Sequence, residues 1–196
     1  MVVGRGCQVQ RDEIEGLIAE SSQTLAGLAS SAEAIRVAGE SLVRVLKSGG
    51  KVLTAGNGGS AAEALHMSEE IIGRYKGNRR SLPAVSLTAD TTAITCIGND
   101  FGFSEIFSRQ VEGLGRRGDA LVLFSTSGSA ENLQRALKVA TEAGLTTVCL
   151  LGRDGGKLAG LSDHEIIVKG SKTERIQEAH QLILHVLLEI IEQEFA

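Results

Sequence analysis

Residues 51–66, KVLTAGNGGSAAEALH, join a short aliphatic run to a helical pattern through a turn that contains three glycines. KVLTA has the length and the bounds of a buried strand, and the residues after the turn are typical of a helix. The glycines let the backbone turn steeply, and Ser60 with Glu63 has the spacing of a helix-capping box. The stretch therefore predicts a strand, a tight turn and a helix, which is the repeating unit of an α/β fold.

Similar aliphatic runs follow along the chain, and helical stretches separate most of them. Alternating strands and helices predict a mainly parallel sheet with helices on both faces. The predicted strands are Lys51–Ala55, Pro83–Leu87, Ala120–Phe124, Thr146–Leu150 and Glu165–Lys169. The predicted helices between them are Ser60–Tyr75, Thr92–Ile97, Phe103–Leu114, Ala130–Ala143 and a short one near Gly156–Leu161.

Helical patterns flank this alternating region at both ends of the chain. Residues 11–48 are predicted to form an N-terminal helical segment of two helices, which Ser48-Gly49-Gly50 ends. Lys172–Phe195 is predicted to form one long C-terminal helix, with Ser171 and Glu174 as a second capping box. No linker or repeat interrupts the pattern, so residues 1–196 are interpreted as one domain. The predicted fold class is α/β, with a five-stranded parallel sheet in the middle of three layers.

The composition narrows the classes of function. Aromatic residues make up 3% of the chain and the net charge is −4, which argues against base stacking and against phosphate-backbone binding. We therefore expect no nucleic-acid partner. Nothing approaches a membrane span, and Met1–Gln10 has no signal-peptide core. Three cysteines, Cys7, Cys96 and Cys149, cannot all pair internally. These features predict a cytoplasmic protein that does not contact a membrane.

A second turn rich in small polar residues, STSGS at 125–129, follows the predicted strand ALVLF. Hydroxyl groups and free amides at a helix start can bind an anion such as a phosphate. Ordinary helix caps would explain the same residues, because Ser, Thr, Asn and Gly all favour helix starts. Neither turn is a Walker loop or a dinucleotide fingerprint, which favours a phosphorylated small molecule over a nucleotide. In a parallel sheet both turns lie at the carboxyl edge, where ligands bind.

His66 and Glu70 are four residues apart on the helix that follows the glycine turn. At this spacing an imidazole and a carboxylate share a helix face, where they could ligate a metal or transfer protons. A partly exposed His–Glu pair without function would show the same spacing. His185 lies in a narrow polar sector of the C-terminal helix with Gln177 and Gln181, and a solvated stripe would explain that sector too.

Asn99 and Asp100 stand between two apolar pieces of the stretch IGNDFGFSEIFSRQ at 97–110. Both are common turn residues, so a turn at this place needs no function. Asp100 could equally bind the hydroxyl groups of a sugar, and its position alone leaves both interpretations open.

Four stretches of the chain together resemble one family. They are GNGGSAAEALHMSEEIIGRY, LTADTTAITCIGNDFGFSEIFSRQVEGLG, STSGSAEN and RIQEAHQLILH. In this combination they resemble the phosphoheptose isomerases of the sugar isomerase (SIS) fold, over nearly the whole chain. The resemblance implies a homotetramer with active sites at subunit interfaces and one zinc ion per subunit. It implies interconversion of D-sedoheptulose 7-phosphate and D-glycero-D-manno-heptose 7-phosphate, the first step toward the ADP-heptose of the lipopolysaccharide core.

The resemblance also implies roles for individual residues. Glu70 and His185 would be the acid–base pair. The implied zinc ligands are His66, Glu70, Gln177 and His185. The implied substrate contacts are Asn57, Gly58, Gly59, Glu70, Asn99, Asp100, Ser125, Thr126, Ser127 and Gln177. The chain departs from the family at Ala130, where members usually carry a further serine, so one hydroxyl for the phosphate is lost unless Ser129 compensates.

Two other classes of function share the SIS fold. One SIS paralogue binds the replication initiator and catalyses nothing known, but it lacks the glutamate and the histidine that this chain has at Glu70 and His185. A sugar-phosphate-sensing regulatory domain would normally be attached to a DNA-binding module, for which 196 residues leave no room. Two acid–base groups at matching positions favour the enzyme.

Overall fold

The sheet at the centre of the molecule is parallel throughout and has five strands. The computed structural model describes residues 9–196, so Cys7 lies outside the described residues, as does most of the Met1–Gln10 stretch. The strands are β1 (Val52–Gly56), β2 (Ala84–Ser86), β3 (Ala120–Ser125), β4 (Thr146–Gly152) and β5 (His164–Val168). Their order is β2-β1-β3-β4-β5, so β2 lies on one side of β1 and the later strands lie on the other.

Seven α-helices and three short 3-10 turns connect and flank the strands of this described part. The helices are α1 (Arg11–Gly27), α2 (Ala32–Lys47), α3 (Gly59–Ile72), α4 (Thr91–Phe101), α5 (Ser108–Leu114), α6 (Glu131–Ala143) and α7 (Thr173–Phe195). The 3-10 turns are Leu28–Ser31, Phe103–Glu105 and Gly156–Leu158. Between residues 9 and 196, none of the helices combines the length and the apolarity that crossing a membrane requires.

Alternate residues of the central strands face two separate hydrophobic cores. In β3, Val122 and Phe124 belong to the core that α2, α3 and α7 cover, whereas Leu121 and Leu123 belong to the core formed with α5 and α6. Both faces of the sheet are therefore buried under helices, as expected for a parallel sheet. The predicted three-layer α/β fold, with N-terminal helices and a long C-terminal helix, is confirmed.

The predicted strands are all present, with ends shifted by at most two residues, and the connection between β2 and β3 differs more. α4 continues to Phe101, beyond the predicted Thr92–Ile97. The Asp90 carboxylate caps its start, and Gly102, with φ of 91°, ends it. The predicted helix Phe103–Leu114 is divided into a 3-10 turn and α5.

Both predicted capping boxes are wrong. The N-cap of α3 is Gly58, with φ of 58°, so Ser60 already lies inside the helix and is buried. Glycine tolerates this backbone conformation, and it therefore starts the helix before the serine does. Glu63 is buried against α7 instead of reaching back to the helix start. At α7 the N-cap is Lys172 rather than Ser171, and no side chain caps the helix there.

Glu63 and His180 form a buried pair between α3 and α7. His180 Nδ1 lies 3.8 Å from Glu63 Oε2, and the side chains of His180 and Glu63 are 0% and 6% exposed, respectively. Phe124 contacts the imidazole edge-on, with 6.4 Å between the ring centroids. Within residues 9–196, neither the carboxylate oxygens nor the ring nitrogens have a hydrogen-bond partner. The carboxylate and the imidazole therefore offset the free-energy cost of each other's burial.

We predict that His180→Leu lowers the free energy of unfolding by about 3–5 kcal/mol, because it leaves the Glu63 carboxyl group buried without a partner. The double variant Glu63→Leu/His180→Leu recovers a large part of this loss, since two apolar side chains replace both polar groups. Urea unfolding followed by circular dichroism, at one protein concentration for all variants, measures the difference. A double variant less stable than the single one would contradict the coupling.

Candidate active site

The carboxyl ends of β1 and β3 lie side by side near the middle of one sheet edge. The chain continues in opposite directions across the sheet from this point, and open parallel sheets bind ligands at such switch points. One of the two polar turns follows each strand. Asn57 in the first turn and Asn132 in α6 exchange two amide hydrogen bonds of 2.9 Å each. The two turns are thereby joined into one surface.

The glycine turn lies against the C-terminal helix. Gly59 is the first residue of α3, and a Cβ atom added to it would lie 2.1 Å from Nε2 of Gln177. Only glycine leaves room for the side-chain amide at this distance. The structure thus brings Asn57, Gly58 and Gly59, which the family resemblance assigns to the substrate, next to Gln177 on α7.

The serine-rich turn is folded by its own hydroxyl groups. Ser125 Oγ accepts a hydrogen bond from Gly128 N at 3.0 Å, and Ser127 Oγ accepts one from Ser129 N at 3.3 Å. α6 begins directly after the turn, and its N-cap, Ala130, has no polar side chain to cap the helix amides. Hydroxyl groups thus adjoin free helix amides at the start of α6, a combination that can bind an anion.

A glycine-rich loop after β4 supports this turn from behind. A Cβ atom on Gly128, whose φ is 61°, would lie 1.8 Å from the carbonyl oxygen of Gly155. Leu158 N donates a hydrogen bond to the Gly128 carbonyl at 3.0 Å. A Cβ atom on Gly152 would lie 2.5 Å from the carbonyl oxygen of Thr126. The backbone of the turn is thus in direct contact with the backbone of the next loop.

His66, Glu70, Gln181 and His185 form a polar cluster between α3 and α7. His66 Nε2 lies 3.4 Å from Glu70 Oε1. Gln181 Nε2 lies 2.6 Å from His66 Nδ1 and 3.3 Å from His185 Nε2. The two imidazole rings meet edge to face, with 5.2 Å between their centroids. All four residues are half-buried, so the cluster is accessible to a small molecule and partly shielded from water.

Three side chains at this place on α3 could bind one metal ion, because ligand atoms of His66, Glu69 and Glu70 lie within 4.8 Å of one another. Imidazole nitrogen and carboxylate oxygen are common zinc ligands. The His185 ring stands beside them, with its centroid 5.2 Å from that of His66. Rotation of the Gln181 side-chain amide would turn its oxygen toward the two rings in place of its nitrogen.

The pKa of His185 is lower than its ordinary value, because burial disfavours the imidazolium form and nearby His66 disfavours it further. The Glu70 carboxylate acts in the opposite direction, but it does not cancel these two effects. His185 is therefore neutral at neutral pH and has a nitrogen lone pair, which can accept a proton or bind a metal.

The structure separates the four residues that the family resemblance assigns to zinc. His66, Glu70 and His185 lie in the cluster, whereas Gln177 lies about two helical turns before His185 on α7, at the glycine turn. Gln181 contacts both imidazoles, although neither its position in the sequence nor the family resemblance predicts a role for it. The one sequence feature that indicates its place beside His185 is their spacing of four residues in the same polar sector of the helix.

Asn99 and Asp100 lie in the last turn of α4 rather than in a loop, so the turn interpretation is wrong. Both side chains are exposed, and Asn99 Nδ2 donates to Asp100 Oδ1 at 2.7 Å. The Cys96 thiol lies 3.7 Å from the other oxygen of Asp100. Within the described part of one chain, these contacts do not connect Asn99 or Asp100 to the histidine cluster.

The SIS (sugar isomerase) domain family model matches residues 18–152, so this parallel sheet with polar turns at its switch point is an SIS domain. The chain is 50% identical over 153 residues to the phosphoheptose isomerase of a Nitratiruptor species, an alignment that covers 78% of this chain and 82% of that protein. It is 44% identical over 190 residues to the phosphoheptose isomerase of Escherichia fergusonii, with 95% and 98% covered.

Solved structures agree with these sequence comparisons. The phosphoheptose isomerase from Neisseria gonorrhoeae superposes with a TM-score of 0.89 at 40% identity, over 93% of this chain and 98% of that one. The chain belongs to the phosphoheptose isomerase family, as its motifs predicted. It is therefore an isomerase that acts on a sugar phosphate.

The close backbone contact between Gly128 and Gly155 predicts the effect of Gly128→Ala. This substitution should destabilise the protein by about 2 kcal/mol more than Gly160→Ala, because it adds a backbone clash to a similar strain of positive φ. Gly160 is the matched control, since its φ is 74° and a Cβ atom there meets nothing within 4 Å. Urea unfolding of both variants checks the prediction, and equal losses would contradict it.

Proposed function

We propose that this chain interconverts D-sedoheptulose 7-phosphate and D-glycero-D-manno-heptose 7-phosphate, the first step toward the ADP-heptose of the lipopolysaccharide core. One observation carries the proposal: His66, on the helix that begins at the glycine turn, contacts both the Glu70 carboxylate and the His185 ring, so a carboxylate and a neutral imidazole both lie next to it. Aldose–ketose isomerisation requires such a pair, because one proton moves between carbons and another between oxygens. The alignments with the named phosphoheptose isomerases cover 78% and 95% of this chain.

The phosphate group would bind at the start of α6. Ser125, Thr126 and Ser127 offer hydroxyl groups there, and the helix amides offer N–H donors without a positively charged side chain. The sugar chain would extend along the bridged turns past Asn57, Gly58 and Gly59, where Gln177 can donate to a hydroxyl group. In this orientation the reacting carbons reach the histidine cluster.

The two proton transfers then fall to Glu70 and His185. The Glu70 carboxylate takes the proton from the carbon next to the carbonyl group, which leaves an enediolate, and returns it to the adjacent carbon. His185 passes a proton between the two oxygens, for which its neutral form is the competent acceptor. Zinc, held by His66, Glu70, Gln177 and His185, would supply polarisation of the carbonyl group. His66, Glu70 and His185 lie together between α3 and α7, and Gln177 would have to reach the ion from the glycine turn, so we propose one ion per subunit.

We further propose a cytoplasmic homotetramer with its active sites at subunit interfaces. The exposed apolar side chains of Phe101 and Phe103, at 52% and 63%, favour burial against another subunit. Asn99 and Asp100 stand beside them, so assembly would bring these two residues to the substrate of a neighbouring chain. Residues 1–196 would form a single SIS domain that includes the helical segment 11–48.

Purified protein is predicted to interconvert the two heptose 7-phosphates. Glu70→Gln and His185→Ala should each lower kcat by at least about 100-fold, because each removes one proton-transfer group. His164→Ala is the control, since this histidine is the first residue of β5 and lies at the amino ends of the strands, away from the polar turns at their carboxyl ends. Full activity of either site variant would refute the assigned roles. An inactive wild type would favour a non-catalytic SIS protein, such as one that binds the replication initiator.

Zinc content tests the metal separately from turnover. Elemental analysis should find zinc in the wild type after purification with added metal, and much less in His66→Ala, which lacks one imidazole ligand. Less than about a tenth of an ion per chain in the wild type would contradict the zinc site.

Ala130 provides a test of the phosphate position. In this chain the Ser129 hydroxyl donates to the Ser127 carbonyl at 3.1 Å, so it is already engaged in the turn. Ala130→Ser should therefore lower KM about threefold to tenfold by adding a donor for the phosphate, with kcat unchanged. Steady-state kinetics with sedoheptulose 7-phosphate measure this, and an unchanged KM would place the phosphate elsewhere.

A further inference from the structure

The segment 73–82, which follows α3, returns to the histidine cluster. The predicted helix Ser60–Tyr75 stops at Ile72, and the chain then runs along the last turns of α7. Tyr75 stacks on His185, with 6.0 Å between ring centroids and 23° between ring planes. The segment therefore supplies one wall of the space around His185.

Glu192 on α7 holds this segment in place. Its Oε1 atom accepts hydrogen bonds from the backbone amides of Lys76, at 3.2 Å, and of Gly77. Its Oε2 atom accepts one from Arg79 Nε at 2.8 Å. Burial alone would raise the pKa of Glu192, but the hydrogen bonds from Arg79 and the two amides lower it below its ordinary value. Glu192 is thus ionised and fully engaged at neutral pH.

Arg79 connects the same pair to the end of α3. Its side chain is 0% exposed, and that of Glu192 is 7% exposed. Arg79 Nη2 donates to the carbonyl oxygen of Glu70 at 2.9 Å, and Nη1 donates to that of Ile71 at 3.0 Å. These carbonyl groups belong to the last turn of α3, where the helix has no partner for them. The Arg79 guanidinium group therefore fixes the backbone of Glu70, the residue whose carboxylate is proposed to transfer the proton.

We propose that Arg79 and Glu192 are positioning residues for the isomerase, which hold the Glu70 backbone and the Tyr75 ring in place around His185. The proposal rests on the proposed function for its catalytic consequence. Neither residue touches the reacting atoms. Each acts through the element that it holds: Arg79 through the end of α3, and Glu192 through the segment that carries Tyr75.

A second ion pair with a buried carboxylate offers a matched control. Lys51 and Asp119 precede β1 and β3, at the opposite edge of the sheet. The Asp119 side chain is 6% exposed, and it also accepts hydrogen bonds from two backbone amides. Glu192→Gln and Asp119→Asn each remove one buried negative charge, so both should lower stability. Only the first should affect the site.

The composition of the chain makes the position of segment 73–82 directly measurable. Tyr75 is the only tyrosine, and the chain contains no tryptophan. Tyrosine fluorescence therefore reports on this one ring. Quenching by acrylamide measures how far solvent reaches it, without any need for substrate or metal.

Four proteins suffice for the experiment, beside the wild type: Glu192→Gln, Arg79→Met, the double variant Arg79→Met/Glu192→Leu, and Asp119→Asn. In the first three, kcat should fall about 10- to 100-fold with little change in KM, since small displacements of reacting groups cost that much. Tyr75 should lose its protection from quenching in the same three. The double variant should regain thermal stability without regaining kcat, because the two charges leave together but the hydrogen bonds are not restored.

A purely structural pair would give a different result. Thermal stability would then fall in Glu192→Gln as in Asp119→Asn, while kcat and Tyr75 quenching of the folded protein stayed at wild-type values; this outcome would overturn the proposal. If the wild type turns over neither heptose phosphate, the proposed function fails instead. Tyr75 quenching then decides alone whether Arg79 and Glu192 hold the segment against α7.

Discussion

α3 packs along α7, and this contact holds the two halves of the candidate site at a fixed separation. Met67 and Ile71 on α3 are fully buried in the same core as Ile183 and Leu187 on α7. Side chains three or four residues apart share a helix face, so these apolar contacts also determine which polar residues meet at the edge of the core. A shift of α7 by one turn would bring a different side chain to His66.

The parallel sheet sets the position of α3 itself. Thr54 in β1 donates its hydroxyl hydrogen to the carbonyl oxygen of Ala64 at 2.7 Å, which ties the helix to the strand before it. Asn57 and Asn132 tie that strand's turn to the turn after β3. Because β1 and β3 are neighbours, the serine-rich turn and the histidine cluster are parts of one rigid frame. Their distance depends on hydrogen bonds and packed cores rather than on loop conformation.

Much of this could be predicted from the sequence because the signals are local. Aliphatic runs bounded by turn residues indicate the strands, and the four-residue spacing of His66 and Glu70 requires only a helix. The contact between His66 and Gln181 joins residues 115 positions apart, and that between Asn57 and Asn132 joins residues 75 apart. Such contacts depend on which face of one helix meets another element, and periodicity alone does not determine it. The capping box at Ser60 failed for a local reason, since the glycine before it changes where the helix starts.

A group that must exchange a proton or bind a metal cannot be fixed by hydrogen bonds that occupy its lone pairs. The contrast with Asp119 is instructive, because its carboxylate accepts three hydrogen bonds and has a purely structural place in the fold. In the candidate site, Arg79 binds the backbone carbonyl of Glu70 and leaves the carboxylate free of it. Tyr75 contacts the face of the His185 ring and leaves the ring nitrogens to other partners. Arg79 and Tyr75 thus restrain Glu70 and His185 through atoms that the proposed chemistry does not use.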